Sequence, residues 1–266
     1  MDPHPSSDPP RITREVRGHV LLIGFNRPAK KNAFDLSMLA GLAEAFAELD
    51  GSAELRVGVV FARGGDFTAG LDLGNVAPAL SHGGGLAPAG GVDPWGVTGR
   101  PCSKPVVVAV QGLCLTLGIE LMLACDVVVA ADDARFGQIE IKRGLFPFGG
   151  GTWRWVETCG WGNAMRYLLT ADMLDAATAL RLGMVQEVVP AERALPRAIE
   201  IAETIAAQAP LGVMATLRSA RKALAEGPEA AARDLMPELG KLMASEDVKE
   251  GLQSFMERRA GRFTGR

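Results

Sequence analysis

The chain has 266 residues, 48% of them hydrophobic and 22% charged, so it can bury a sizeable core and does not have the composition of a disordered chain. Its net charge of −3 argues against a nucleic-acid or anionic-membrane surface, and any anion recognition must be local. Four cysteines without a CxxC pair, and three scattered histidines, give no metal-site spacing and suit a reducing, cytoplasmic setting.

Residues 1–10, MDPHPSSDPP, are Pro- and Ser-rich, have no apolar h-region and read as a disordered N-terminus rather than a signal peptide. Arg11–Arg17 and Val20–Phe25 flank Gly18-His19 and predict a hairpin. FNRPAKKNAF (25–34) then reads as a basic turn. Asp35 is placed to cap a helix on which Leu36, Leu39, Ala43, Phe46 and Leu49 recur at helical spacing. Val57–Phe61 is a short buried strand. GGDFTAGLDL (64–73) is a turn whose small residues allow close approach. Gly74–Arg100 carries few regular signals; its Gly/Pro-rich centre reads as a mobile loop holding a solvated His82, and Asp93-Pro94-Trp95 suggests a helix start.

Two β-branched runs, Val106–Val110 and Val127–Ala130, predict buried parallel strands. Between them a turn and two helical turns, Leu117 to Ala124, carry a single carboxylate, Glu120. Glu140 follows the second strand in GQIE. A charge in an apolar segment is costly unless it is paired or used, so Glu120 either caps or salt-bridges something or does chemistry. Beyond Gly151 the pattern is helical: 152–159, 163–170 and 175–182 with Gly183 as terminator, then a short strand in MVQEVVP. The remainder is three or four amphipathic helices. Leu195, Ile199, Ala202 and Ile205 share one face, as do Leu235, Leu239 and Leu242, and again Val248, Leu252 and Phe255. This composition shift sets a boundary between residues 11–195 and 196–266.

The stretch KPVVVAVQGLCLTLGIELMLACD, followed by FGQIE and GLFPFGGG, resembles the signature of the crotonase superfamily, the enoyl-CoA hydratase/isomerase family. The matching residues include Lys104, Pro105, Gly112, Gly118, Glu120, Cys125, Asp126, Gln138, Glu140, Gly144, Pro147, Gly149 and Gly150. The resemblance runs from about Ile12 to the C-terminus. It implies an α/β fold, a spiral of ββα units closed by a C-terminal helical trimerisation region. It implies Glu120 and Glu140 as the catalytic pair and the amides of Ala69 and Leu117 as an oxyanion hole. Arg27, Lys30, Lys31 and Ala33 become candidate contacts of coenzyme A. Gly70, Leu71, Asp72, Leu73, Leu113, Thr116, Ile139 and Gly144 join Ala69, Leu117 and Glu140 as substrate-binding candidates. The implied ligand is an acyl-CoA thioester with no separate cofactor, and the implied assembly is a homotrimer or a dimer of trimers.

One departure concerns the family's GGG before the first glutamate, which is Thr116-Leu117-Gly118 here. A leucine at 117 is strained if that turn needs positive φ, and otherwise still offers its amide. Ile139 also replaces a frequent proline. The resemblance implies a 2-enoyl-CoA hydratase. An isomerase relying on Glu140 is the alternative within the family, and retention of Glu120 argues against it. Phe148 stands where dienoyl-CoA isomerases carry a carboxylate. A catalytically silent acyl-CoA-binding scaffold, or an RNA-binding relative, is the alternative of another class. The chain shows no GxSxG elbow and no GxGxxG between a strand and a helix.

Overall fold

The computed structural model describes residues 9–81 and 91–266. Most of the disorder expected over residues 1–10, together with His82 and the centre of the Gly/Pro-rich segment, lies outside the described residues.

The hairpin forms as expected, with β1 (Ile12–Arg17) antiparallel to β2 (Val20–Phe25). From β2 onward each partner in the main sheet is parallel: β3 (Val57–Ala62), β4 (Val106–Val110), β6 (Val127–Ala131) and β9 (Glu187–Val189) follow in that spatial order. Parallel neighbours need crossovers, and the intervening segments supply them. A smaller sheet joins β5 (Leu113–Leu115), β7 (Arg135–Gly137) and β8 (Leu174–Asp175). Its strands are two or three residues long, too short to leave a periodicity in the sequence.

The period of two divides the main sheet between two cores. Leu21, Ile23, Phe25, Val60, Val108, Val110 and Ala130 face one core, shared with α1 (Leu36–Gly51) and α3 (Leu117–Ala124). Val20, Leu22, Val57, Val59, Val107, Ala109 and Val129 face the other, covered by α7 (Ala194–Ala206). That helix presents Ala198, Ala202 and Ala206 at a spacing of four, and these small side chains let it lie close on the sheet. Each buried valine or leucine contributes about 1.5–3 kcal/mol relative to exposure. The boundary drawn at 195/196 falls inside α7, which is itself part of the sheet's cover.

Asp35 caps α1, its Oδ1 accepting the Met38 N–H at 2.9 Å. Leu36, expected on the buried face, is exposed, and Met38, Leu42 and Ala45 are buried instead. Lys104 closes the other end of α1. Its buried ammonium donates to the carbonyls of Leu49 (2.8 Å), Leu55 (2.6 Å) and Ser52.

The segment after Gly74 differs from expectation. Leu73–Ser81 is a helix, α2, despite Pro78. A proline at that position costs only one bond of a short helix, the one to the Gly74 carbonyl. Conversely, Asp93 opens no helix; its carboxylate gathers the N–H groups of Trp95, Val97, Thr98 and Gly99 into a tight loop. The later helices are α4 (Gly151–Cys159), α5 (Trp161–Thr170), α6 (Ala176–Arg181), α8 (Pro210–Glu226), α9 (Pro228–Met243) and α10 (Glu246–Glu257). Leu235, Met236, Leu239 and Met243 on α9 and Leu252, Phe255 and Met256 on α10 are exposed in the single chain. No helix of the described residues is long and apolar enough to cross a membrane.

Candidate active site

The site is built where β4 ends. Gly112 turns the chain at φ +54°, and a side chain there would run into the Gly65 carbonyl. β5 follows and stops at Thr116, whose N–H donates to Gly137 O at 2.9 Å. Thr116 has φ +50° and ψ −116°. The positive φ of this turn therefore falls on Thr116, and Leu117 has an ordinary backbone. The Leu117 N–H opens α3 and donates to nothing among the described residues, as expected of a first helical position.

One turn into α3, Glu120 is 1% exposed. Its Oε1 accepts the Gly149 and Gly151 N–H groups, each at 2.8 Å. Burial pushes its carboxyl up to about 7, and the charge of Glu140 pushes the same way, against the pull of the two amides. Glu120 makes no salt bridge among the described residues; the Arg154 guanidinium, bonded to the Gly149 carbonyl, acts on it only through its charge and does not offset the burial.

Glu140 opens a short 3-10 turn, 140–143, after β7. Gln138 Nε2 donates to its Oε1 at 2.7 Å, and Gln138 is held in turn by the Trp155 indole at 3.2 Å. Its Oε2 is buried and has no hydrogen-bond partner among the described residues. Burial raises this carboxyl also. An orphaned buried oxygen is costly, which suits a group that meets a ligand or a water.

Both glutamates line one cavity of about 220 Å³. Thr116 and Leu117 line it from the start of α3, Ala69 and Leu71 from the turn before α2, and Leu73 from the first position of α2. Ile139, Arg143, Leu145 and Phe148 complete it. The wall is thus mainly apolar with a few convergent polar groups, the usual make-up of a small-molecule site. Arg143, Leu145 and Phe148 were not among the sequence candidates; Arg143 ends the 140–143 turn and the other two lie in the GLFPFGGG loop, whose pattern only the fold directs inward. Among the described residues no group of three or more potential ligands stands where it could hold a metal.

The structure departs from expectation at Ala69. Its N–H donates to Lys31 O at 2.9 Å and is not free for a substrate. The segment runs alongside Phe34, with Phe34 N–H donating to Gly70 O and Asp72 N–H to Phe34 O, each at 2.8 Å. In an extended segment successive groups alternate sides, so the Leu71 N–H is turned away from Phe34. It donates to nothing among the described residues, and Leu71 lines the cavity.

The remaining candidates lie outside the cavity wall. Gly70 is the positive-φ hinge of the 69–72 turn. Leu113 pairs with Arg135 in β5–β7. Gly144, at φ +71°, ends the 140–143 turn. Arg27 is committed to the fold: it donates to Asp72 Oδ2 (2.8 Å) and the Ala33 carbonyl (2.9 Å), and stands 3.5 Å from Asp35. Buried Asn32 staples the same turn to Arg63 O and Asp66 O. Lys31 is exposed and 3.6 Å from Asp66, while exposed Lys30 has no ion pair among the described residues.

Comparison with known proteins matches the family model for enoyl-CoA hydratase/isomerase over residues 15–266. The chain belongs to the enoyl-CoA hydratase/isomerase family. Within that family, the chain is 36% identical over 256 residues to the enoyl-CoA hydratase EchA19 of Mycobacterium tuberculosis, covering 95% of this chain and 96% of that one. It is 32% identical over 261 residues to the 2,3-dehydroadipyl-CoA hydratase of Escherichia coli, covering 96% and 98%. Among solved structures, that of a probable enoyl-CoA hydratase/isomerase from Mycobacterium abscessus superposes with a TM-score of 0.93 at 52% identity, covering 96% of this chain and 99% of that one. The mixed sheet with its packed helices is therefore the fold of this family.

Proposed function

We propose that the protein is an enoyl-CoA hydratase, adding water reversibly, in syn geometry, to a 2-enoyl-CoA thioester. The observation that carries this reading is the pairing of two buried carboxylates in one apolar cavity, each tethered through one oxygen. Glu120, raised to about 7 and next to Glu140, lets the pair hold one proton near neutral pH. The ionised carboxylate takes a proton from water as its oxygen bonds to C3. The C2–C3 π electrons shift toward the thioester, and the protonated partner delivers its proton to C2. The pair ends with the same number of protons, exchanged between its members. The thioester oxygen gains enolate charge in between, and the free amides of Leu71 and Leu117 are the donors available to hold it. Leu71 replaces Ala69 in this role because the Ala69 N–H is already bonded.

Lys30 and Lys31 remain exposed cations for the phosphates of coenzyme A, whereas Arg27 supports the turn that presents them. No cofactor beyond that substrate is invoked. The exposed apolar residues of α9 and α10 support assembly into a trimer or a dimer of trimers; light scattering that finds a monomer at micromolar concentration refutes this. The free state of all four cysteines supports a cytoplasmic setting.

The test is a panel of 2-enoyl- and 3-enoyl-CoA thioesters of increasing length, followed by loss or appearance of the conjugated enoyl absorbance. Loss with 2-enoyl substrates is expected. Appearance with 3-enoyl substrates alone would assign the isomerase, and acyl-CoA binding without turnover would assign a silent binder.

A further inference from the structure

Thr116 occupies a backbone conformation that few residues tolerate. At φ +50° and ψ −116° it lies outside the left-handed helical region, in which Lys31 (ψ 38°), Ala171 (ψ 34°) and Arg258 (ψ 42°) sit. It is β-branched, the side-chain type that bears positive φ least well. Strain of this kind persists where the surroundings impose it, and it concentrates at functional sites. Thr116 lines the cavity that holds both glutamates and Ala69, Leu71 and Leu73, and its hydroxyl makes no hydrogen bond among the described residues. Its location is tightly defined. The hydroxyl lies flush on Gly70, where an added methyl group would overlap it. The next amide after Gly70 is Leu71 N–H, and the next amide after Thr116 is Leu117 N–H, the two free donors of the cavity.

We infer that the Thr116 hydroxyl is a third donor to the thioester oxygen, completing an oxyanion site otherwise made of backbone. This rests on the hydratase reading for the charge that develops there. A hydroxyl hydrogen rotates freely, so it can turn toward an oxygen held by the two amides without any movement of the chain. The side chain accounts for the strain: glycine would be easier to accommodate at this backbone position but would supply no donor.

The experiment compares wild type with Thr116→Val, Thr116→Ser and Thr116→Gly. Valine keeps shape and branching and removes the donor; kcat for crotonyl-CoA should fall roughly 10- to 100-fold with KM nearly unchanged, the low end for a lost oxyanion donor. Serine should restore the rate to within about 3-fold of wild type, because it keeps the hydroxyl. Glycine should be as slow as valine yet unfold at a higher temperature than wild type, since it relieves the backbone. A second measurement is independent of turnover. Butanoyl-CoA labelled with carbon-13 at the thioester carbonyl cannot be hydrated, and its infrared carbonyl band should lie lower on wild type than on Thr116→Val. Valine and glycine variants as fast as an active wild type would overturn the inference, as would identical carbonyl bands on wild type and Thr116→Val. Wild type that turns over no 2-enoyl thioester, while the butanoyl band still follows the hydroxyl, overturns the hydratase reading and keeps the donor.

Discussion

Two clusters of charge lie on either side of the 69–73 turn and have opposite characters. In the basic turn, Arg27 reaches Asp72, Asp35 and the Ala33 carbonyl, and Arg11 also bonds Asp35. Both arginines there have carboxylate partners and behave as part of the fold, whereas Lys30 and Lys31 stay exposed. In the cavity, Glu120 and Glu140 have no cation in hydrogen-bond contact and only neutral donors on one oxygen each. Both are raised by burial rather than lowered by pairing. Partner count separates a structural charge from a reactive one here, and neither residue type nor sequence position would have done so. Arg27 looked like a phosphate ligand because it sits beside Lys30 and Lys31, and its carboxylates come from elsewhere in the chain.

The contrast fails most visibly if the glutamates prove dispensable. Glu120→Gln and Glu140→Gln should each lower kcat by roughly 10²–10⁴-fold with little change in KM. The double variant should be far less than multiplicatively worse. Steady-state kinetics on crotonyl-CoA decides it, and a Glu120→Gln enzyme with most of its rate would favour the isomerase.

Stability provides the next contrast. Because the folded-state value of Glu120 is raised from 4.5 to about 7, the native fold binds this proton more tightly than the unfolded chain. The stabilisation is complete below about pH 4.5 and is lost as pH rises through about 7. Between those limits wild type should lose on the order of 3 kcal/mol relative to Glu120→Gln. Urea unfolding of both proteins at pH 5 and pH 8 measures it, and parallel behaviour would show that the proton is not held.

Arg27→Ala should act through the fold. Stripping Asp72 and the Ala33 carbonyl of their donor, and buried Asp35 of one of its two guanidinium neighbours, costs about 1–3 kcal/mol, read as a lower unfolding midpoint. An altered KM for the CoA thioester at unchanged stability would return Arg27 to the list of phosphate contacts.

The smallest effect is expected at the exposed lysines. Lys30→Ala with Lys31→Ala should raise KM for a CoA thioester by about 3- to 10-fold, the scale of one or two solvent-exposed charge contacts. The increase should vanish for a pantetheine thioester that lacks the nucleotide. An unchanged KM for the CoA substrate would remove both lysines from the binding surface.

Much of the fold was legible because its signals are local. The valine runs of β4 and β6, the Asp35 cap and the limits of α3 follow from apolar blocks ended by polar or small residues. What escaped depends on distant partners. The Ala69 amide is removed from the site by a carbonyl at Lys31, and the Leu71 amide is freed by pairing with Phe34. The positive φ that the sequence left open at Leu117 sits one residue earlier because Thr116 is pinned to Gly137 O in the smaller sheet, whose strands had no signal. Pro78 masked α2, and the inward turn of Arg143, Leu145 and Phe148 required the 140–143 turn to be in place. The glutamates themselves were legible as isolated carboxylates in apolar surroundings, and their convergence on one cavity was expected only through the family resemblance.

The clasp at the end of α1 also bears on chemical damage. Acyl thioesters transfer their acyl groups to amines, and the reacting form is the neutral amine with an open lone pair. Burial lowers the value at which Lys104 gives up its proton, which by itself would favour that form. Yet its nitrogen is enclosed by the carbonyls of Leu49, Ser52 and Leu55, which engage its three donors. Acylation at Lys104 would need α1 to detach from the start of β4 first. This lysine is therefore shielded for as long as the protein stays folded, and its modification in an aged sample would mark chains that had already opened.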